Sequence, residues 1–405
     1  MQGGGVSGHV TEATKHVKLE PGSALSVAMV LGDFDLSGIG TVTHIEGSRV
    51  YGWGHPFFGV GNCEFPLMTG YIHTIYPRQS LSFKMGSPLR AVGVINADVS
   101  TCIAGWLHRK ADLMPVRATV VREDGINTKT FNVQMVRQPS LMSGLVYSIL
   151  TNCVDTEGEL PEELTAQMRA RIEVEGREPV VIDDTFSGPS YSGGKAPPAL
   201  YNQVAMVVSL LAYNSYQPVR ISRIDCETRI RPGRRSAEIE SAELDSDTYE
   251  PGDTLRATVF VRPHRGTRRA VPVSIKLPAD LPEGRYTATV CDDLHNARQE
   301  LRANPTLSNP QNLDQVFQAL KVQTSARRTN LVVRVPTTAG GVALHAQALP
   351  DLPSSMVHIL ANGRRTGAQL MTSALVSRQA TPWVLQGSES LRFTVTKNKR
   401  VRDRD

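Results

Sequence analysis

Residues 38–61 read Gly38-Ile39-Gly40-Thr41-Val42-Thr43-His44-Ile45-Glu46-Gly47-Ser48-Arg49-Val50-Tyr51-Gly52-Trp53-Gly54-His55-Pro56-Phe57-Phe58-Gly59-Val60-Gly61. Thr41 to Ile45 and Arg49 to Trp53 are β-type runs, and the turn chemistry of Glu46-Gly47-Ser48 between them predicts a β-hairpin. Gly54 before His55 and Pro56 after it fix the backbone at the strand end, where an imidazole can project into a cleft. The alternative for this histidine is a rigid corner whose ring is satisfied by a backbone carbonyl.

Outward from this hairpin the same alternation continues. Short β runs broken by turn residues extend from Ser23 to Arg122 and suggest a small barrel or sandwich. Ser140 to Val154 changes period, with Leu141, Leu145, Ile149 and Leu150 on one helical face behind a Ser140 cap. Pro161 with Glu162 and Glu163 predicts a short helix, Gln167 to Glu175 a strand, and Leu200 to Tyr213 an apolar helix. Strands with turns at Arg231-Pro232-Gly233, Glu250-Pro251-Gly252-Asp253 and Pro282-Glu283-Gly284 follow from Val219, as in an immunoglobulin-like sandwich. The remainder predicts helices at Asn312 to Val322 and Ser354 to Ala361, a strand at Asn330 to Val335, and a hairpin around Gln386-Gly387-Ser388.

The chain has 405 residues, enough for two or three domains, with 33 Gly and 25 Pro, a content that favours short strands and turns over a helical bundle. A formal net charge of +5 is mild over this length. Its basic clusters, Arg229 to Arg235, Arg262 to Arg269 and Lys397 to Arg404, are separated by long neutral stretches, which argues against nucleic acid as a partner. The five cysteines, Cys63, Cys102, Cys153, Cys226 and Cys291, form no C-x-x-C pair and read as buried free thiols rather than zinc ligands or a disulfide framework. No run of eighteen apolar residues exists, so no transmembrane segment is expected, and the amino terminus lacks the order of a signal peptide.

Gly38 to Gly61 resembles the opening hairpin of the SpoIVB sporulation-protein peptidase family: a Gly-x-Gly-Thr-hydrophobic-Thr strand, a turn, and a second strand ending in an apolar residue, Gly and His. Met85 to Gly105 (MGSPLRAVGVINADVSTCIAG) looks like a later segment of that family, with compressed spacing. The resemblance implies a trypsin-like double β-barrel, serine endopeptidase chemistry on a polypeptide substrate without a cofactor, an extracytoplasmic setting, and His55 as the general base. The family's nucleophile lies in a Gly-Met-Ser-Gly-Ser-Pro-like turn, and that string is not in this chain. Ser7, Ser143, Ser187 and Ser192 each share a fragment of it, while Ser87 in Met85-Gly86-Ser87-Pro88 maps onto a different turn of the family. The nucleophile is therefore unassigned. Either its segment lies upstream of Met1, or the barrel has been kept without catalysis.

The expected architecture is mainly β with some α: a tail over 1–19, a peptidase-like trypsin-type β-barrel domain over 20–155, an α/β connector over 156–218, a β-sandwich module over 219–300 and a small α/β region over 301–405. Asp33 and Asp35 are candidates to orient a histidine, or ordinary turn residues. His44, His55, Glu46, Glu64 and His73 lack metal-ligand spacing, so no metal is expected. Phe57 and Phe58 are candidates to line a substrate groove beside His55. Asp183-Asp184 and Asp292-Asp293 read as solvated loop charges. The competing function is a non-catalytic envelope scaffold that binds partner proteins.

Overall fold

The strand Ala24–Gly32, β1, is buried along almost its whole length because both of its faces are covered. It is antiparallel to β2 (Leu36–Glu46), and β2 turns through Gly47 into β3 (Arg49–Gly52), the hairpin that the sequence predicts. Two long strands, β4 (Gly61–Tyr76) and β5 (Phe83–Val99), then lead to β6 (Cys102–Leu107). The order β1-β2-β3-β6-β5-β4 closes on itself, because Leu25–Val27 of β1 also pair with Leu67–Thr69 of β4. The result is a six-stranded antiparallel barrel filled by Leu25, Val27, Val42, Val50, Phe65, Leu67, Ile95 and Ile103. A computed structural model describes residues 14, 16–79, 82–123, 125, 127–344, 347–350, 352–361 and 368–397.

Past a register shift between Ala28 and Val30, β1 leaves the barrel wall and its Val30–Gly32 pair with β8 (Asn127–Val136). From there an open sheet runs through β7 (Leu113–Arg122), β11 (Ile221–Pro232), β9 (Glu163–Val174) and β10 (Val180–Pro189). Strand β11 lies parallel to β7. Helices α1 (Pro139–Asp155) and α2 (Asn202–Ala212) cover this sheet, burying Met142, Leu145, Val146 and Ile149 from one and Val204, Val207, Val208 and Leu211 from the other. The cap of α1 is Gln138 with Pro139 at the first helical position, not Ser140. Residues 161–163 form no helix: alternation from Glu163 onward commits the chain to β9, which hydrogen-bonds to strands on both sides.

The remaining strands build two sheets around a second core. One is β15-β14-β12-β20, from β12 (Ser236–Leu244), β14 (Thr254–Pro263), β15 (Arg269–Lys276) and β20 (Val384–Gln386); the short β13 (Thr248–Tyr249) belongs to the other. That other sheet adds β16 (Gly284–Asp292), β17 (Asn330–Leu344), β18 (Gln347–Pro350), β19 (Gln369–Ala380) and β21 (Ser388–Val395). Strands from both sides of residue 300 share these sheets. Their common core holds Ile239, Leu255 and Val259 opposite Val290, Leu331 and Phe393. The expected hairpin at Gln386-Gly387-Ser388 is instead a corner: β20 pairs with β12, β21 pairs with β16, and Gly387 at φ 90° carries the chain between the sheets.

Helices α3 (Asp293–Ala303), α4 (Pro305–Ser308), α5 (Leu313–Ser325) and α6 (Ser354–Ala361) complete the described chain. Arg327 and Arg328 bridge the two halves through Asp183 and Asp184, each at 3.2 Å. No helix among the described residues is long and apolar enough to cross a membrane. All five cysteines are free, and Cys153, Cys226 and Cys291 are buried.

Candidate functional site

At the end of β3 the chain reverses through two consecutive left-handed residues, Trp53 at φ 74° and Gly54 at φ 73°. For a bulky side chain that conformation costs about 1–2 kcal/mol and persists only where its surroundings hold it. The hold here comes from the indole, which lies on the backbone of β2. A Cβ added to Gly40 would stand 2.4 Å from its Nε1, and one added to Gly38 would stand 2.7 Å from the ring of Phe57. The Gly-x-Gly of the motif thus has a packing reason: it is the floor on which Trp53 and Phe57 rest, edge to face at 4.9 Å.

The loop that follows is wound around one buried carboxylate. Asp98, near the end of β5, is fully buried and accepts the N–H groups of Phe57 (2.7 Å), Phe58 (2.8 Å), Gly59 (2.9 Å) and Val60 (3.3 Å). Four backbone dipoles converge on the charge as an anion nest and fix residues 57–60. No motif in the sequence announced this residue; an acid at the end of the apolar run Val92-Gly93-Val94-Ile95 was the one available signal.

His55 sits between these two anchors with its ring exposed. Its Nδ1 lies 2.8 Å from the carbonyl oxygen of Pro56. A carbonyl can only accept, so Nδ1 is the donor, and in a neutral ring Nε2 is then the acceptor. The ring also leans on Trp53, 5.6 Å between centroids. Among the described residues no hydroxyl or carboxylate hydrogen-bonds to His55.

The serines that share fragments of the family's turn have other positions. Ser187 is buried, bonded to Thr165 Oγ1 at 3.0 Å and accepting from the Arg235 N–H at 2.6 Å. Ser143 is on α1, Ser192 is exposed in the loop after β10, and Ser7 lies outside the described residues. Ser87 meets His73 Nε2 at 2.9 Å, an exposed cross-strand pair with no carboxylate in the surrounding Phe65–Ala97 stretch. Among the described residues no group of three metal-ligating side chains forms, and His44 instead stacks on Tyr51.

A cleft of about 740 Å³ opens between α1 and the β1–β2 turn, lined by Phe34, Asp35, Phe58, Leu145, Tyr147 and Ile149 among others. Phe58 joins it to the His55 loop, whereas Phe57 packs inward on Trp53 and Phe65. Asp33 is a turn residue, accepting the Asn132 N–H at 2.7 Å. Asp35 differs: among the described residues its buried Oδ1 has no partner, and burial pushes its carboxyl up to about 6.

In each of the other acidic pairs one member is buried, while Asp183 and Asp292 are half-buried. Asp184 is buried beside Arg328, and its carboxyl is raised by that burial, which outweighs the guanidinium. Asp292 caps α3, accepting from Leu294 N and His295 N, and Asp293 is buried against Arg378 at 3.0 Å. Comparison with known proteins found no matching family model, and no curated protein or solved structure matches the chain.

Proposed function

We propose that the barrel is a SpoIVB-like peptidase module of the trypsin-like type and that His55 is its general base, with the sandwich as an immunoglobulin-like accessory module. The observation that carries this reading is the 2.8 Å contact of His55 Nδ1 with the Pro56 carbonyl oxygen on an exposed ring. With Nδ1 bonded to Pro56 and Nε2 open to solvent, the imidazole is poised to accept a proton from a hydroxyl. The Pro56 carbonyl takes the orienting role that a carboxylate holds in a Ser-His-Asp triad.

In the reaction, Nε2 takes the proton as the hydroxyl oxygen attacks the scissile carbonyl carbon. The imidazolium then gives that proton to the leaving amine, and water releases the acyl group by the same route. The cleft beside Phe58 is the place for an extended polypeptide. The nucleophile is not assigned.

The test is peptide cleavage and fluorophosphonate labelling, with the labelled residue mapped by mass spectrometry. Labelling lost in a folded His55→Ala variant supports the base, and the mapped residue assigns the nucleophile. A folded chain that neither labels nor cleaves overturns the reading. A second reading, a non-catalytic scaffold that binds partner proteins, is favoured by the lack of a hydroxyl at His55 among the described residues. It requires partner binding that His55→Ala leaves unchanged.

A further inference from the structure

Beyond Gly70 and Pro88 the strands β4 and β5 leave the barrel wall and, among the described residues, pair only with each other. The base of this ribbon rests on β2, where Gly70 and Gly86 meet Ile39 and Lys84 Nζ donates to Thr41 Oγ1 at 2.7 Å. Its far part is wet and apolar at once. Register places Tyr76 opposite Phe83 and Thr74 opposite Met85, so Tyr76, Phe83 and Met85 share one face, while Ile75 opposite Lys84 is on the other. Ile75 is 60% exposed and Tyr76 49%, and Arg78 stands over the rings of both Tyr76 and Phe83 at 5.3 and 5.6 Å.

We propose that this ribbon docks on an anionic lipid surface, seating its aromatic end at headgroup depth. Charge is the first argument. From Phe65 to Ala97 there is no Asp or Glu, while Arg78, Lys84 and Arg90 are cationic. Such a stretch is attracted to a negative leaflet, and a second copy would meet it with the same charges. Geometry is the second argument. A protein partner docked on one face would leave the apolar side chain of the other in water, whereas a lipid interface covers Ile75 and the Tyr76–Phe83 pair together. Amphipathic tyrosines and an Arg stacked on aromatic rings suit that layer, where the apolar body is buried and the polar tip stays wet. Strand addition is disfavoured because the register shift between Ile72 and Thr74 breaks the regular edge of β4 and Lys84 is carried on β5. Depth is limited for the same reason that the ribbon is open: its unpaired backbone groups must remain hydrated, so it does not enter the hydrocarbon core. This inference does not depend on the peptidase reading.

The test is co-sedimentation of the full chain with phosphatidylcholine vesicles, with and without phosphatidylglycerol. Binding is expected with the anionic vesicles alone and should weaken as salt is raised. The double variant Ile75→Asp/Phe83→Asp should lose at least tenfold in binding, and Arg78→Gln and Lys84→Gln about fivefold each. All four sites are exposed, so an unchanged melting temperature confirms that folding is intact. A Phe83→Trp variant should shift its emission to the blue on anionic vesicles. Three results overturn the proposal: no vesicle binding at low salt, equal binding to both vesicle types, or binding that survives the double variant. Concentration-dependent dimerisation lost in Phe83→Asp, without vesicle binding, would also overturn it and assign the ribbon to contact between copies.

Discussion

Trp53 occupies the space that a side chain at Gly40 would need, its Nε1 lying 2.4 Å from where a Cβ would sit. The indole cannot retreat, because it is held between Phe57 and the strand, and its own backbone is in the left-handed region. Gly40→Ala should therefore destabilise the protein by about 1–3 kcal/mol in urea denaturation and displace the His55 loop. Gly144→Ala is the contrast. Gly144 is helical with open space around it, so alanine there should stabilise by about 0.5–1 kcal/mol. Equal effects at the two positions would contradict the packing described.

A second expectation concerns Asp98. Replacing it by Ala leaves the four N–H groups of residues 57–60, which lie in part-buried bonds, without their acceptor, at a cost of about 1–3 kcal/mol. Asn keeps one acceptor oxygen but turns an amide N–H₂ toward donors, so it should rescue little. Hydrogen exchange of the Phe57, Phe58 and Gly59 amides is the measurement: these should be protected in the native chain and exchange far faster in either variant.

The hairpin β2–β3 was legible because both of its signals are local, the alternation of Thr41 to Ile45 and the turn residues Glu46-Gly47-Ser48. Helix α1 was legible for the same reason, as a change of period. What the sequence hid is non-local. Strand β11 reads as the start of a sandwich, yet it lies beside β7, about a hundred residues earlier, and only the assembled sheet shows that. Barrel closure by Leu25 to Val27 on β4, and the register shift after Ala28 past which β1 pairs with β8, are signalled by no residue type. The site shows the same division. His55 and its glycine-rich strand are readable, whereas Asp98 is 38–41 residues from the amides it holds. Asp293 looks like a surface charge until the partners that Arg378 and Asn330 supply from later strands are in place.

Thiol reactivity gives an independent check on burial. Burial, reinforced by the Asp98 charge, pushes Cys63 up to about 12, and burial likewise pushes Cys226 and Cys291 up to about 12 and raises Cys153 further. The thiolate is the reactive form, so these four should react slowly with Ellman's reagent at pH 8. Cys102, half-buried at the start of β6, should account for the single fast phase, and Cys102→Ser should abolish it. Two or more fast thiols in the native chain would mean that one of the cores is looser than described.

Asp35 makes stability depend on pH, in the direction opposite to the usual carboxylate. Its folded-state value is raised by burial from the ordinary 3.8 to about 6. Between these limits the folded chain keeps a proton that the unfolded chain has released, so stability falls as pH rises through this window and stays reduced above it. Solvent still reaches part of the group, which limits the effect to about 1 kcal/mol. Asp35→Asn removes the charge while keeping the shape. It should raise the melting temperature at pH 8 by a few degrees and leave it unchanged at pH 4, where the native carboxyl is already protonated in the folded state. A gain of equal size at both pH values would show that amide hydrogen bonding, and not the buried charge, is responsible. A ligand that places a cation in the cleft should reverse the sign, because it would stabilise the ionised carboxylate and make Asp35→Asn the weaker binder above pH 6.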